Sequence, residues 1–90
     1  MKTEPIEISK EDERGIIYRC DPVNYIVRKR GSISADHTHE EVETLYLIEG
    51  KGKLTIGGET EEIKAPIKVL IPANEYHKLV AITDIKLIRT

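Results

Sequence analysis

The segment GSISADHTHEEVETLYLIEG, residues Gly31 to Gly50, decides the fold. It places His37 and His39 one residue apart and follows them with Glu43 four positions later. Side chains alternate across a β-strand, so both imidazoles point to one face, with Cα atoms ~7 Å apart. Two rings that lean together from that distance can share one ion at about 2.0–2.1 Å per bond. The spacing therefore indicates part of a metal site.

The residues after the histidine pair are predicted to complete that site. The turn Glu40–Val42 should reverse the chain in a hairpin, so that Glu43 begins the neighbouring strand and its carboxylate reaches the same ion. The chain has three histidines, and the third, His77, lies in a second ordered pattern, P-x-N-x-x-H, that starts at Pro72. A histidine pair alone would also fit two surface residues on a polar face. The second pattern favours a metal site.

The segment resembles the first sequence motif of the cupin superfamily, in particular of small single-domain cupins. The motif G-x5-H-x-H-x3-E-x6-G matches at every defining position from Gly31 to Gly50. The resemblance covers Asn24 to Arg89, which is most of the chain.

The second cupin motif, G-x5-P-x-G-x-x-H-x3-N, matches in part. Pro72 and His77 agree with it, and Asn74 replaces a glycine, which is tolerable because asparagine adopts positive φ more readily than most residues. Pro66 and Ala81 stand at its opening glycine and closing asparagine. Because neither position would supply a metal ligand, these departures concern the local turn and the surroundings of the ion.

The resemblance implies an all-β double-stranded β-helix, or jelly-roll barrel, with a divalent transition metal ion inside. Carried onto this sequence, the ligands are His37, His39, Glu43 and His77. Iron, manganese, nickel, zinc and copper all suit these donors, and ligand identity does not choose among them. The alternative is an ion that only stabilises the barrel.

The rest of the sequence is consistent with one β-domain over residues 1–90, with an N-terminal arm at 1–23 and the barrel at 24–90. Short β-branched runs alternate with turn signals, and the stretches EGKG (49–52) and IGGE (56–59) are predicted hairpin turns. SKEDERG is predicted as one short helical turn, with Ser9 as the N-cap, Asp12 three residues on, and Gly15 at its end.

The strand parity of the metal ligands predicts a mostly apolar pocket around the ion. Leu45 and Leu47 lie two and four positions after Glu43, so they should share its inner face. Leu79 lies two positions after His77 and should face inward for the same reason. Tyr25, on an earlier strand, is expected at the mouth of the barrel.

A basic cluster precedes the histidine segment and has two interpretations. Arg28, Lys29 and Arg30 could form a cationic rim that attracts an anionic substrate to the ion. The commoner interpretation, and the one the sequence favours, is a solvated strand end.

Two runs are apolar at every position, Leu45–Ile48 and Val69–Ile71. Strands of this kind are buried on both faces, and a second subunit is the simplest cover in a thin barrel. We therefore expect a homodimer.

Composition limits the function further. A net charge of -2 and the absence of an apolar run of roughly 20 residues argue against nucleic-acid and membrane partners. One cysteine, Cys20, and an N-terminus without an apolar leader suit a cytoplasmic protein. With 33% charged residues and no glutamine, the chain also has the composition of a thermostable protein.

We expect a small polar or anionic organic ligand at the ion. The chain would then be a metal-dependent dioxygenase, decarboxylase or isomerase, or else a non-catalytic module that binds or senses a metal or a small molecule. A barrel with a vestigial site is the third interpretation.

Overall fold

The computed structural model describes all residues, 1–90, as ten β-strands and their connections. The strands are β1 (Glu7–Asp12), β2 (Gly15–Arg19), β3 (Asn24–Arg28), β4 (Ile33–Thr38), β5 (Glu43–Glu49), β6 (Lys51–Ile56), β7 (Glu59–Lys64), β8 (Ile67–Ile71), β9 (Tyr76–Ala81) and β10 (Ile85–Arg89). The structure contains no helix of the length and hydrophobicity needed to cross a bilayer.

The strands form two antiparallel sheets, an arrangement consistent with a jelly roll. One sheet has six strands in the order β1-β2-β3-β10-β5-β8, and the other has four in the order β4-β9-β6-β7. Residues 1–23, predicted as an arm, supply β1 and β2, which extend the six-stranded sheet from β3.

The hydrophobic core is built from side chains that alternate along the strands of both sheets. On β5, Leu45 and Leu47 are buried whereas Tyr46 and Ile48 are more exposed, as expected for a strand with one inner face. Burying a side chain of this size stabilises the fold by about 1.5–3 kcal/mol. The core residues are Ile26, Leu45, Leu47, Leu54, Ile63, Ile71, Leu79, Ala81, Ile85 and Leu87.

The predicted helical turn at Ser9–Gly15 is wrong, because these residues form a β-hairpin between β1 and β2. Asp12 caps no helix. Its carboxylate accepts hydrogen bonds from the backbone N–H of Arg14 at 2.9 Å and from the Arg14 guanidinium. A single helical turn fixes several residues for one hydrogen bond, whereas the hairpin gains a ladder of bonds along both strands.

The two predicted glycine turns have different outcomes. Gly57 and Gly58 join the paired strands β6 and β7, so the hairpin prediction there is confirmed. Gly50 does not close a hairpin, because β5 and β6 belong to different sheets. It has a φ of 97°, and a Cβ at this position would overlap the carbonyl oxygen of Asp84. Gly50 therefore allows the chain to pass from one sheet to the other.

Replacing this glycine should destabilise the fold strongly. We expect Gly50→Ala to lower the free energy of unfolding by about 2–4 kcal/mol, because it combines an unfavourable φ with a backbone clash. Gly58→Ala is the matched control, since a methyl group added there would meet no atom within 4 Å. Urea denaturation of both variants measures the difference, and equal midpoints would contradict this role for Gly50.

Candidate metal centre

One extra residue in β4 interrupts its pairing with β9 and orients the histidines. Ser34 lies opposite Leu79 and His37 opposite His77, so three steps on β4 match two on β9. Ala35, inside this interval, has a φ of 59°. In a regular strand Ser34 and His37 would face opposite sides, because their positions differ by an odd number. The resulting β-bulge lets both side chains face inward.

The three imidazoles come together at the end of this sheet. The ring centroids of His37 and His39 are 4.1 Å apart, and that of His77 lies 4.7 Å and 5.0 Å from them. The backbone N–H of Asn74 donates to the carbonyl of His39 at 2.6 Å. Asn74 has a φ of 64°, which confirms that asparagine takes the conformation expected at this position of the second motif. This contact fixes the loop that carries His39.

Glu43 reaches the imidazoles from the opposite sheet. The predicted hairpin between β4 and β5 is wrong, because β4 belongs to the four-stranded sheet and β5 to the six-stranded one. Glu43 is the first residue of β5, and its Oε2 lies 2.8 Å from His39 Nδ1 and 3.3 Å from His77 Nε2. The cluster therefore joins the two sheets across the barrel interior.

Two buried atoms of the cluster have no hydrogen-bond partner, Glu43 Oε2 and His77 Nε2. They lie 3.3 Å from each other, and Glu43 Oε2 lies 2.8 Å from His39 Nδ1, but neither contact has the geometry of a hydrogen bond. His77 Nδ1 is 3.2 Å from the carbonyl oxygen of Glu75, which can only accept, so Nδ1 carries the proton. The lone pair of Nε2 then faces the cluster, as in a metal ligand oriented by its second nitrogen.

The donor set and its geometry fit a divalent ion. One ligand atom from each of His37, His39, Glu43 and His77 lies within 4.8 Å of all the others. With bonds of ~2.1 Å, two ligands of one ion can be at most about 4.2 Å apart, so the widest pair has to close by a few tenths of an ångström. Three neutral imidazoles and one carboxylate would leave a divalent ion with a net charge near +1.

The protonation state of His37 also suits a ligand. His37 is exposed on one side, but partial desolvation by the cluster lowers its pKa from the usual value, and the neighbouring His39 and His77 lower it further. An imidazole must be unprotonated to bind a metal, and a lowered pKa keeps it so to a more acidic pH.

The family model for the cupin domain matches residues 24–88. The chain belongs to the cupin family. No curated protein sequence matched it.

Several solved structures share the fold of this cupin. A Cupin 2 conserved barrel domain protein from Salinispora arenicola CNS-205 has a TM-score of 0.79 at 20% identity, over 99% of this chain and 86% of its own. The capsular polysaccharide assembling protein CapF from Staphylococcus aureus has a TM-score of 0.78 at 21% identity, over 97% of this chain and 28% of its own. A salicylate 1,2-dioxygenase from Pseudaminobacter salicylatoxidans has a TM-score of 0.70 at 19% identity, over 81% and 20%. At these identities the similarity shows the fold alone, and this cupin spans less than a third of the last two proteins.

The residues predicted to line the pocket lie in different places. Leu45 and Leu79 line a small cavity beside Glu43, and Leu47 is buried deeper in the core. Tyr25 is not brought to the cluster. It lies on the outer face of the six-stranded sheet. On β3 the even-numbered Ile26 faces the core, so the odd-numbered residues, including Tyr25, face outward.

Two arginines lie near the site: Arg89, which was not singled out from the sequence, and Arg28, for which the sequence favoured a solvated position over a cationic rim. Arg89 Nε lies 3.5 Å from Glu43 Oε1, and Arg28 is buried beside the same cavity. The solvated interpretation of the basic cluster is therefore wrong for Arg28, although Lys29 and Arg30 are exposed. Strand alternation could have predicted both positions. Arg28 follows the inward Ile26 by two residues, and Arg89 follows the inward Leu87 by two, so each arginine faces the same side as the leucine or isoleucine before it.

The bulge gives a test of how the histidines are oriented. We expect Ala35→Val to lower the free energy of unfolding by about 1–2 kcal/mol, because a β-branched residue tolerates the left-handed region poorly. Metal binding should weaken as the strand shifts toward regular pairing. Ala35→Gly, which suits this φ, should retain both properties. Thermal unfolding and metal titration measure the effects, and a Val variant indistinguishable from Gly would refute the role of the bulge.

Proposed function

We propose that this cupin binds one divalent metal ion through His37, His39, Glu43 and His77 and presents it to a small polar or anionic organic molecule. The observation that carries the proposal is the pair of buried atoms without partners, Glu43 Oε2 and His77 Nε2. Leaving such groups unpaired costs about 1–3 kcal/mol each, and more for a charge. An ion between them removes that cost.

The site can be reached by a small molecule. His37 is exposed and His39 is partly exposed, whereas Glu43 and His77 are buried, so the ion would sit at the edge of the barrel interior. An open groove of about 460 Å³ leads to it, a size common for small-molecule sites. The groove is lined by Thr38, His39, Glu40, Glu41, Val42, Glu43, Arg89 and Thr90.

A bound divalent ion would supply Lewis acidity and, if redox-active, electron transfer. The protein adds few groups for proton transfer, because the other carboxylates of the groove, Glu40 and Glu41, are exposed. A metal-dependent dioxygenase, decarboxylase or isomerase would suit this site. The likeness to a salicylate 1,2-dioxygenase adds oxygenation to the reactions worth assaying. The alternative is a non-catalytic module that binds or senses a small molecule at the ion.

Removing the buried carboxylate should abolish most of the metal binding. We expect Glu43→Gln to lower the affinity for Zn²⁺ at least about tenfold, because the amide oxygen is a weaker, uncharged ligand. Glu41→Gln changes the same functional group in the exposed turn and should bind metal like the wild type. Competition titration against a chromophoric chelator measures both affinities.

Equal affinities in the two variants, or a wild-type protein that binds no divalent metal, would contradict the proposal. The same preparations separate the two kinds of function. An enzyme converts a candidate acid, or consumes O2, in proportion to its metal content. A binding module shows only ligand-induced stabilisation.

We also propose that the protein forms a homodimer through the outer face of its six-stranded sheet. No strand or helix of the chain covers this face. The register of the sheet aligns five large side chains in one cross-strand row: Ile8, Tyr18, Tyr25, Ile88 and Tyr46. A groove beside the row has only apolar lining, from Ile6, Tyr18, Cys20, Val23, Tyr25 and Ile88. An apolar face of this extent favours burial against a second copy.

A charge in the middle of the row should separate the subunits. We expect Ile88→Glu to be monomeric and the wild type dimeric in sedimentation velocity, because the carboxylate would be buried without a partner. Ile33→Glu places the same change on the four-stranded sheet, where Ile33 is 43% exposed, and should remain a dimer. A monomeric wild type would refute this interface.

A further inference from the structure

Arg28 is a buried arginine without an ion-pair partner in the protein. It is 5% exposed, and its Nε has no hydrogen-bond partner. No ion pair of the chain includes it. A buried ion without a partner costs several kcal/mol, so such a residue requires an explanation that core packing does not give.

The carboxylate that acts on Arg28, Asp12, and the carboxylate that lines the same cavity, Glu43, are both already occupied. Asp12 pairs with Arg14 at 2.9 Å, and Glu43 faces Arg89 and the imidazoles. Burial lowers the pKa of Arg28, as does the charge of Arg14, but a guanidinium starts so high that it stays protonated at neutral pH. Asp12 acts in the opposite direction and raises the pKa of Arg28, but its carboxylate is already paired with Arg14. The positive charge of Arg28 therefore has no carboxylate of its own.

Arg28 lies beside a cavity that also borders the metal centre. The cavity has a volume of about 40 Å³, and its polar lining comes from Arg28, Ser34, Glu43 and Arg89. On neighbouring strands Arg28 lies opposite Ile85 and Arg89 opposite Asn24, so the two arginines approach the cavity from opposite ends of the β3–β10 pair. Two arginines thus line one space together with the buried Glu43.

The volume of this cavity and the charge of its lining limit which chemical group can bind in it. A water molecule takes about 30 Å³ in the liquid, so the cavity holds a group little larger than one water. A planar carboxylate is of that order and accepts two hydrogen bonds from a guanidinium fork. A sugar or an aromatic ring would have to remain in the outer groove, which shares Glu43 and Arg89 with the cavity.

We propose that Arg28 selects the ligand of this cupin, holding together with Arg89 the carboxylate of a short organic acid bound at the metal centre. This inference rests on the proposed function for the location of the ion. The acid's carboxylate enters the inner cavity, and the remainder of the molecule lies toward the ion and the groove. Inorganic bicarbonate also carries a planar, negatively charged carboxylate, and the experiment below distinguishes it from an organic acid.

The experiment uses Zn²⁺-loaded protein in a carboxylate-free buffer and titrates it calorimetrically with acetate, pyruvate, bicarbonate and the neutral acetamide. We expect the two organic acids to bind the wild type and acetamide not to bind. Arg28→Met should weaken acid binding at least about tenfold, as for the loss of a charged hydrogen bond. Arg30→Met removes the same charge from the exposed surface two residues away and should bind the acids like the wild type.

A second readout needs no ligand. Without metal or anion, Arg28→Met should raise the melting temperature, because it replaces an unpaired buried charge by an apolar chain of similar length. Most truncations of buried residues do the opposite. If Arg28→Met does not fold, Arg28→Lys keeps the charge without the fork and should still weaken acid binding.

Unchanged acid binding in the Arg28 variants, or equal binding of acetamide, would overturn the inference. Bicarbonate binding more tightly than either acid, with the same dependence on Arg28, would overturn the assignment to an organic acid. Zinc content is measured separately for every sample. A wild type without zinc therefore refutes the metal site, whereas loaded protein that ignores the acids refutes only the role of Arg28.

Discussion

A carboxylate and an imidazole from different sheets meet at one buried point, and the site depends on that meeting. Glu43 begins β5 of the six-stranded sheet, and His77 lies on β9 of the four-stranded sheet. Two positions further along each strand, Leu45 and Leu79 belong to the common core. The packing that holds the sheets together thus also fixes the distance between these two side chains. A metal ion that binds both would in turn stabilise the folded state, because the unfolded chain does not hold them together.

The four candidate ligands could be predicted because their positions follow from strand alternation and from short-range spacing. His37, His39 and Glu43 lie within seven residues, and His77 stands in a second pattern of its own. The bulge at Ala35 could not be predicted, since glycine and asparagine are the usual residues at positive φ. Pairing between distant strands decides such features. The same limitation explains why the hairpin predicted before Glu43 was wrong: the strand that begins with Glu43 joins the sheet opposite the histidines.

The errors on the fold have a related cause. Ser9, Asp12 and Gly15 have the spacing of a capped helical turn, yet they take part in a hairpin because pairing with β3 extends the sheet. Gly50 resembles a hairpin glycine and instead connects two sheets. Local rules describe each turn alone and do not show which sheet the following strand joins. The cytoplasmic location and the thermostability expected from composition stay predictions.

Arg28 shows how charge inside a barrel differs from charge on its surface. The chain carries a net charge of -2, so the whole molecule does not attract anions. Lys29 and Arg30, next in sequence, are exposed, and solvent screens their charges. The buried guanidinium of Arg28 is screened far less. Arg28 and Arg89 give the cavity two cationic side chains against one carboxylate, that of Glu43, and a divalent ion would add to this excess. Because the exterior has no net positive charge, an anion would be recognised only after it enters the barrel, by contact and not by long-range steering.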